Sequence, residues 1–278
     1  MDYKIVADSS HDMNPALEEQ LNVNLVPFTL YLGEKEVVDK KDLDVIDFID
    51  QMVASSGVPR TACPSPQEYI DAFDQAKEGF IVTISAALSG SHNAAMLASQ
   101  MYKEDHPQAK IHVFDSKSAS IAETLISMKI RELAQAGVNF EGIVEKVEAY
   151  IGQMKTFFIS ESLENLMKNG RISRFKGTLA TVMNIKPIMG VDDEGNIVLM
   201  EKARGSKKAF NKMIDMIEAA GDNHGERVLA ISHVNNLERA EWFKSQIEQR
   251  LTFKDIVIVQ TKGLSSLYCD NQGIIVAF

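Results

Sequence analysis

The stretch Phe80-Ile81-Val82-Thr83-Ile84-Ser85-Ala86-Ala87-Leu88-Ser89-Gly90-Ser91-His92-Asn93-Ala94-Ala95 sets an apolar run against a turn of small residues that opens a helical pattern. A short run apolar at Phe80, Ile81, Val82 and Ile84, leading into a helical stretch, fits a strand of a largely parallel sheet. The same motif recurs outward. Tyr3 to Ala7, Asn24 to Tyr31 and Lys110 to Phe114 are further expected strands, each leading through polar or small residues toward a helix. Alternation of this kind builds an α/β layer structure, and in such sheets ligands lie outside the carboxyl ends of the strands. Residues at those joints are therefore the first candidates for function.

Downstream, helical periods run from Ser118 to Gly137 and from Glu141 to Met154, and the first lobe is placed at residues 1–155. A second lobe, residues 156–278, begins with an expected strand from Thr156 to Ser160 and a short helix ending at Gly170. Pro187 to Val191 and Ile197 to Ala203 then flank Asp192-Asp193-Glu194-Gly195-Asn196, a hairpin pattern that brings antiparallel pairing into this half. Helices from Lys207 to Ala220 and Leu237 to Leu251, strands from Arg227 to Ser232 and Asp255 to Gln260, and a terminal strand from Gly273 to Phe278 complete a mixed sheet. The expected fold class is α/β, two-lobed, with a parallel-sheet N-terminal lobe and a mixed-sheet C-terminal lobe.

The chain has 278 residues, 45% hydrophobic and 24% charged, which suits a globular protein folded throughout. Its formal net charge of -10 opposes nucleic acid and anionic membrane surfaces, both of which are bound through clustered Lys and Arg. No apolar run reaches spanning length, no basic-then-apolar leader opens the chain, and the two cysteines, Cys63 and Cys269, form no disulfide framework. A cytoplasmic location with two free thiols is expected.

Several joints carry polar groups of interest. In Arg60-Thr61-Ala62-Cys63-Pro64-Ser65-Pro66-Gln67-Glu68, Ser65 and Glu68 form a capping box with Pro66 at the first helical position. Thr61 is expected in the loop just before, near free helix N–H groups that favour an anion; simple capping is the competing reading. Ser89, beside Gly90, stands at a second such joint. Ser91 with His92 suggests a hydrolase, yet the Gly-x-Ser-x-Gly elbow is missing and His92 is expected to be an exposed first-turn residue. Asp8-Ser9-Ser10 and Asp115-Ser116 follow strands, where capping is the plain role. In Gly170-Arg171-Ile172-Ser173, a left-handed Gly170 would aim Arg171 from a rigid turn. No phosphate loop, dinucleotide fingerprint or metal-ligand spacing is present, so no cofactor and no metal are expected.

Taken in order, Ile5-Val6-Ala7-Asp8-Ser9-Ser10, Thr61-Ala62-Cys63-Pro64-Ser65-Pro66, Leu88-Ser89-Gly90-Ser91, Asp115-Ser116, Gly170-Arg171-Ile172-Ser173 and Ile185-Lys186-Pro187-Ile188 resemble the DegV family across nearly the whole chain. The resemblance implies a long-chain fatty acid between two lobes, its tail buried and its carboxylate held by the hydroxyls of Thr61 and Ser89. It places Arg171 in a charged network near the entrance. It also implies a role in bacterial phospholipid-precursor metabolism: a separate fatty acid kinase phosphorylates the presented carboxylate, and the protein has no catalytic residues of its own. The alternatives are an α/β hydrolase using Ser89 or Ser91, and a binder of another apolar acid. Three positions depart from the family pattern: Ala62, Ser91, and Tyr268-Cys269-Asp270-Asn271-Gln272-Gly273, where other members carry a His before Gly-Pro-Gly. Tyr268 would replace that histidine with a group able to hydrogen-bond but not to carry positive charge.

Overall fold

A computed structural model of the chain describes residues 3–55, 57–73, 76–172, 185–221 and 223–278. The apolar run that opened the sequence is strand β6 (Glu78–Thr83), which lies inside a parallel sheet of order β2-β1-β6-β7 with β1 (Tyr3–Asp8), β2 (Val23–Val26) and β7 (Lys110–Asp115). Both faces are covered, which is why the strands read as continuously apolar. Ile5, Ala7, Phe80 and Val82 point to one layer, with α1 (Pro15–Leu21), α5 (Ile121–Gln135) and α6 (Phe140–Gln153). Val6 and Ile81 point to the other, against Tyr69 and Phe73 of α3 (Pro66–Phe73) and Ala95, Ala98 and Tyr102 of α4 (Ser91–Asp105). Helix starts follow local chemistry: the Asn14 side chain accepts the Leu17 N–H at 2.9 Å ahead of Pro15, and Asn139 accepts that of Gly142 at 3.0 Å.

The expected single strand from Asn24 to Tyr31 is two strands in two sheets. Pro27, which has no N–H to give a ladder, interrupts it. After β2, the chain turns into β3 (Thr29–Leu32), which pairs antiparallel with β4 (Lys35–Val38) and β5 (Arg60–Ala62) in a separate three-stranded sheet. Thr61 is therefore a strand residue opposite Leu30, not a loop residue at a helix start. The capping box at Ser65 does form: its hydroxyl accepts from Glu68 N, and the Glu68 carboxylate accepts from Ser65 N at 2.7 Å.

The second half supplies a mixed sheet of order β10-β9-β8-β13-β11-β12, built from β8 (Thr156–Ile159), β9 (Ile185–Val191), β10 (Ile197–Arg204), β11 (Val228–His233), β12 (Asp255–Gln260) and β13 (Ile274–Ala277). Only β11 and β12 pair in parallel. Side chains alternate strictly. Phe157, Ile159, Ile274 and Val276 bury against α8 (Ser206–Ala219) and α9 (Leu237–Glu248), while Phe158, Ile275 and Ala277 join the core shared with α5 and α6. Three more helices, α2 (Val45–Ala54), α7 (Glu164–Lys168) and α10 (Gly263–Cys269), follow β4, β8 and β12 in sequence.

The β9–β10 hairpin turns where Asp192 to Asn196 predicted, and its tip rests on the carboxyl edge of the first sheet. Ser85 Oγ donates to Gly195 O at 2.9 Å, and Lys117 Nζ donates to Asp193 O at 3.0 Å. Gly195 has φ +82, and a Cβ there would lie 2.3 Å from Ser85 Oγ and 2.9 Å from Lys117 Cα, so only glycine fits. Among the described residues no helix is long and apolar enough to cross a membrane.

Candidate functional site

At the carboxyl edge of β6 the chain Ile84 to Gly90 is tied down from both neighbouring strands. Asp8, ending β1, accepts the N–H of Ile84 at 3.0 Å and the hydroxyl of Ser91 at 2.6 Å; Asp115, ending β7, accepts the N–H of Ala86 at 3.1 Å. These aspartates thus position a loop rather than cap a helix. Within the loop, Ser89 Oγ accepts the N–H of Ser91 at 3.2 Å. That bond uses the oxygen's acceptor capacity and leaves the O–H proton free to donate.

Thr61, on β5, meets Tyr268, on α10, with the two hydroxyl oxygens 3.0 Å apart. One proton of the two is spent between them, and the other remains for a ligand. Arg171 completes the group. Gly170 does take the left-handed conformation, φ +76, beyond α7, and from it the Arg171 side chain donates to Asn169 O at 2.7 Å and Leu88 O at 3.3 Å. Its guanidinium lies 5.7 Å from the centre of the Tyr268 ring. Asn169 and Asn165 fasten the same segment to Pro59 O at 2.9 Å and Leu267 O at 2.8 Å. Ser173, the last residue of the Gly-Arg-Ile-Ser motif, lies outside the described residues.

All four candidates, Thr61, Ser89, Arg171 and Tyr268, line one cavity of about 740 Å³, counting its open mouth. Its walls are otherwise mostly apolar, from Phe28, Ile84, Leu88, Phe158, Leu264 and Ile275. Other hydroxyls of the lining are already engaged: Ser118 with Thr156 at 2.8 Å, and Ser120 with Ser232 at 2.9 Å. Such a cavity suits a long apolar body, with Thr61, Ser89, Arg171 and Tyr268 as donors for an anionic group. Ser91 does not line it. This residue is fully buried, donating to Asp8 and lying 2.7 Å from the Tyr69 hydroxyl. His92 is half-buried rather than exposed, with Nδ1 3.2 Å from Thr83 Oγ1. Ser91 and His92 therefore do not pair. Among the described residues no cluster of His, Cys, Asp or Glu is arranged to hold a metal ion.

Behind the cavity lies a set of buried acids that sequence reasoning missed. Asp39 accepts the Ser9 hydroxyl and the N–H groups of Gly263 and Leu264, each at 2.9 Å, and so fixes the start of α10. Asp12 accepts from Ser120 and from Lys262 N. Burial outweighs these donors, pushing Asp8 and Asp39 up to about 6 and Asp12 to about 7. Glu123 is raised well above the carboxylate range by burial and then by the charge of Asp8. His11, held by Ser127 at 2.8 Å, is pushed by burial down to about 3.

These shifts give stability a definite pH dependence. For each raised acid the folded chain keeps a proton that the unfolded chain has released above pH ~4, so its contribution is largest in acid and is lost as pH rises through the folded value. The lowered His11 and His233 act oppositely, losing stability as pH falls below ~6.5. The four acids outnumber the two histidines. The melting temperature should therefore rise as pH is lowered from about 7.5 to 5.5. A flat or falling profile across that window in calorimetry would refute the protonated acid cluster.

Comparison with known proteins agrees with this architecture. The DegV family model matches residues 2–273. A DegV domain-containing protein of Streptococcus pneumoniae is 37% identical over 280 residues, spanning 100% of this chain and 99% of the relative. A DegV-family protein of Ruminococcus gnavus, refined with vaccenic acid, is 38% identical, covers 100% of both chains and superposes with a TM-score of 0.95. The Streptococcus pneumoniae fatty acid kinase (Fak) B3 protein, loaded with linoleic acid, is 36% identical, covers 100% of this chain and 99% of its own, and superposes with a TM-score of 0.90. Matched end to end in both sequence and fold, the chain belongs to the DegV family.

Proposed function

We propose that this protein binds a long-chain fatty acid in the cavity, tail buried, and presents the carboxylate to a separate fatty acid kinase that makes the acyl phosphate, an entry to phospholipid precursors in the bacterial cytoplasm. In this reading Ser89 and Thr61 hold the carboxylate, Tyr268 and Arg171 form the surrounding head-group network, and the chain divides after residue 155 into two lobes around the ligand. The observation that carries it is the lining of one mostly apolar cavity, which also carries Thr61, Ser89, Arg171 and Tyr268, with the Thr61 and Tyr268 hydroxyls 3.0 Å apart and Arg171 donating to Leu88 O, next to Ser89, at 3.3 Å. Relatives matched end to end hold vaccenic and linoleic acids. The hydrolase reading finds no support here, since Ser91 is tied to Asp8 and Tyr69 and Ser89 has no histidine within hydrogen-bond distance.

Mass spectrometry of protein purified from bacteria should show a long-chain acid in stoichiometric amount, and acyl phosphate should form only when the kinase and ATP are added. Arg171→Ala should keep the lipid while lowering acyl phosphate formation, because the arginine donates to the backbone oxygens of Leu88 and Asn169 and supplies none of the apolar wall. Ester turnover by a lipid-free chain would establish the hydrolase instead, and a different bound acid would redirect the substrate class.

A further inference from the structure

The first turn of α5 is fastened to the segment that follows β1. Ser10 Oγ accepts the N–H of Ser120, which opens α5, and Thr124 Oγ1 donates to Asp12 O. These ties set Glu123 against Asp8 and Ser10, in a site fully closed to solvent. Neither Glu123 oxygen receives a hydrogen bond of good geometry from an N–H or O–H group. An acid in the first turn of a helix ordinarily sits in solvent, where the helix dipole favours its charge. This one is shut away, and the charges that face it, on Asp8 and Asp12, are both negative.

Asp8 is the opposite case. Its carboxylate accepts the N–H of Ser10 at 3.1 Å, the N–H of Ile84 at 3.0 Å and the hydroxyl of Ser91 at 2.6 Å. Ser91 gives its one hydroxyl proton to Asp8, so the Tyr69 hydroxyl, 2.7 Å away, donates to Ser91 in turn. Both protons of this chain point toward Asp8. A carboxylate offers about four acceptor positions, and with three of them filled the further side chain in hydrogen-bond contact is Glu123. Between two carboxyls that share a proton, the charge stays on the one with more donors, because each donor stabilises it. Asp8 therefore carries the charge and Glu123 the proton.

We infer that Glu123 is a protonated positioning residue whose O–H donates to Asp8 and so fixes the loop that carries Ser89. The inference rests on the fatty-acid reading above. Asp8 holds that loop at both Ile84 and Ser91, and the N–H of Ser91 orients the Ser89 oxygen at 3.2 Å. An ionised Glu123 would set two like charges side by side and drive Asp8 from its donors. An apolar side chain in its place leaves Asp8 one donor short. Glu123 does not line the cavity and acts only through Asp8.

Infrared difference spectra of the unaltered chain against Glu123→Gln, taken at about pH 7.5 where an ordinary carboxyl is ionised, test the proton directly. The unaltered chain should show a protonated carboxyl stretch, shifted by deuterium exchange, that the variant lacks. The role is tested by the affinity of delipidated protein for a long-chain acid relative to its methyl ester. Glu123→Leu should lower that ratio about tenfold, near the lower limit for one hydrogen bond to a charged group, with ester affinity little changed. Glu123→Gln, whose amide still donates to Asp8 but cannot ionise, should restore most of it. Folding of each variant is checked by its melting temperature, and if Glu123→Leu does not fold, the infrared band and Glu123→Gln decide. A missing band, a ratio unchanged in Glu123→Leu or a ratio that Glu123→Gln fails to keep overturns the positioning role while fatty-acid binding stands. An unaltered chain that binds acid and ester alike overturns the head-group reading and this inference with it.

Discussion

A chain carrying both Thr61→Val and Ser89→Ala is expected to bind a long-chain fatty acid no better than its methyl ester, where the unaltered protein prefers the acid by a wide margin. A hydrogen bond to a charged group contributes about 1.5–3 kcal/mol, so loss of the Ser89 hydroxyl alone should weaken acid binding roughly tenfold to a hundredfold. Thr61 adds a second loss through its pairing with Tyr268. The two effects share one carboxylate and will not simply add. Occupancy is a poor measure, because each buried methylene contributes about 0.8 kcal/mol and the tail alone holds the ligand in place. The acid-to-ester affinity ratio isolates the head group. A ratio unchanged in a folded double variant would place the carboxylate elsewhere.

Asp39→Ala is expected to cost about 3 kcal/mol or more in stability, since three donors, from Ser9, Gly263 and Leu264, lose their acceptor in a site closed to water. Asp12 accepts from Lys262 N just ahead of α10 but takes neither the Gly263 nor the Leu264 N–H. Gly263 packs so closely that a Cβ would lie 2.6 Å from the Asp39 carboxylate. With a shift of ~2–4 °C per kcal/mol for larger domains, the melting temperature should fall by roughly 6–12 °C. Asp39→Asn keeps one oxygen acceptor and should fall between. Because α10 carries Tyr268, the alanine variant should also weaken ligand binding at temperatures where it remains folded. A melting temperature within about a degree of the unaltered chain would show that α10 is held by packing alone.

Much of this was legible in the residues because it is local. The apolar run at β6, the capping box at Ser65, the hairpin turn at Asp192 to Asn196 and the left-handed Gly170 each depend on neighbours within a few positions. The four mouth residues were reached partly from their joints and partly from the family resemblance, and for Thr61 the local argument was mistaken. It sits on β5, a three-residue strand too short to show any period and paired with β3, far away in sequence. The strand from Asn24 to Tyr31 was joined across Pro27 because apolar character does not say which sheet a strand enters. Asp8, Asp12, Asp39 and Glu123 were unreadable as buried acids for the same reason: their burial is decided by residues brought from elsewhere in the chain.

The ties between Asp12, Asp39 and α10 bear on how the chain folds. Asp12 accepts from Lys262 across 250 positions, and Asp39 from Gly263 and Leu264 across 224 and 225. Contacts this distant form late, because closing the intervening loop costs entropy before any bond rewards it. During synthesis the N-terminal sheet emerges first with its aspartates still hydrated, and it can close over them only when nearly the whole chain has left the ribosome. Formation of the cavity is thereby coupled to synthesis of residues 262–264: a product lacking them would retain a sheet with unmatched acids and no enclosed pocket.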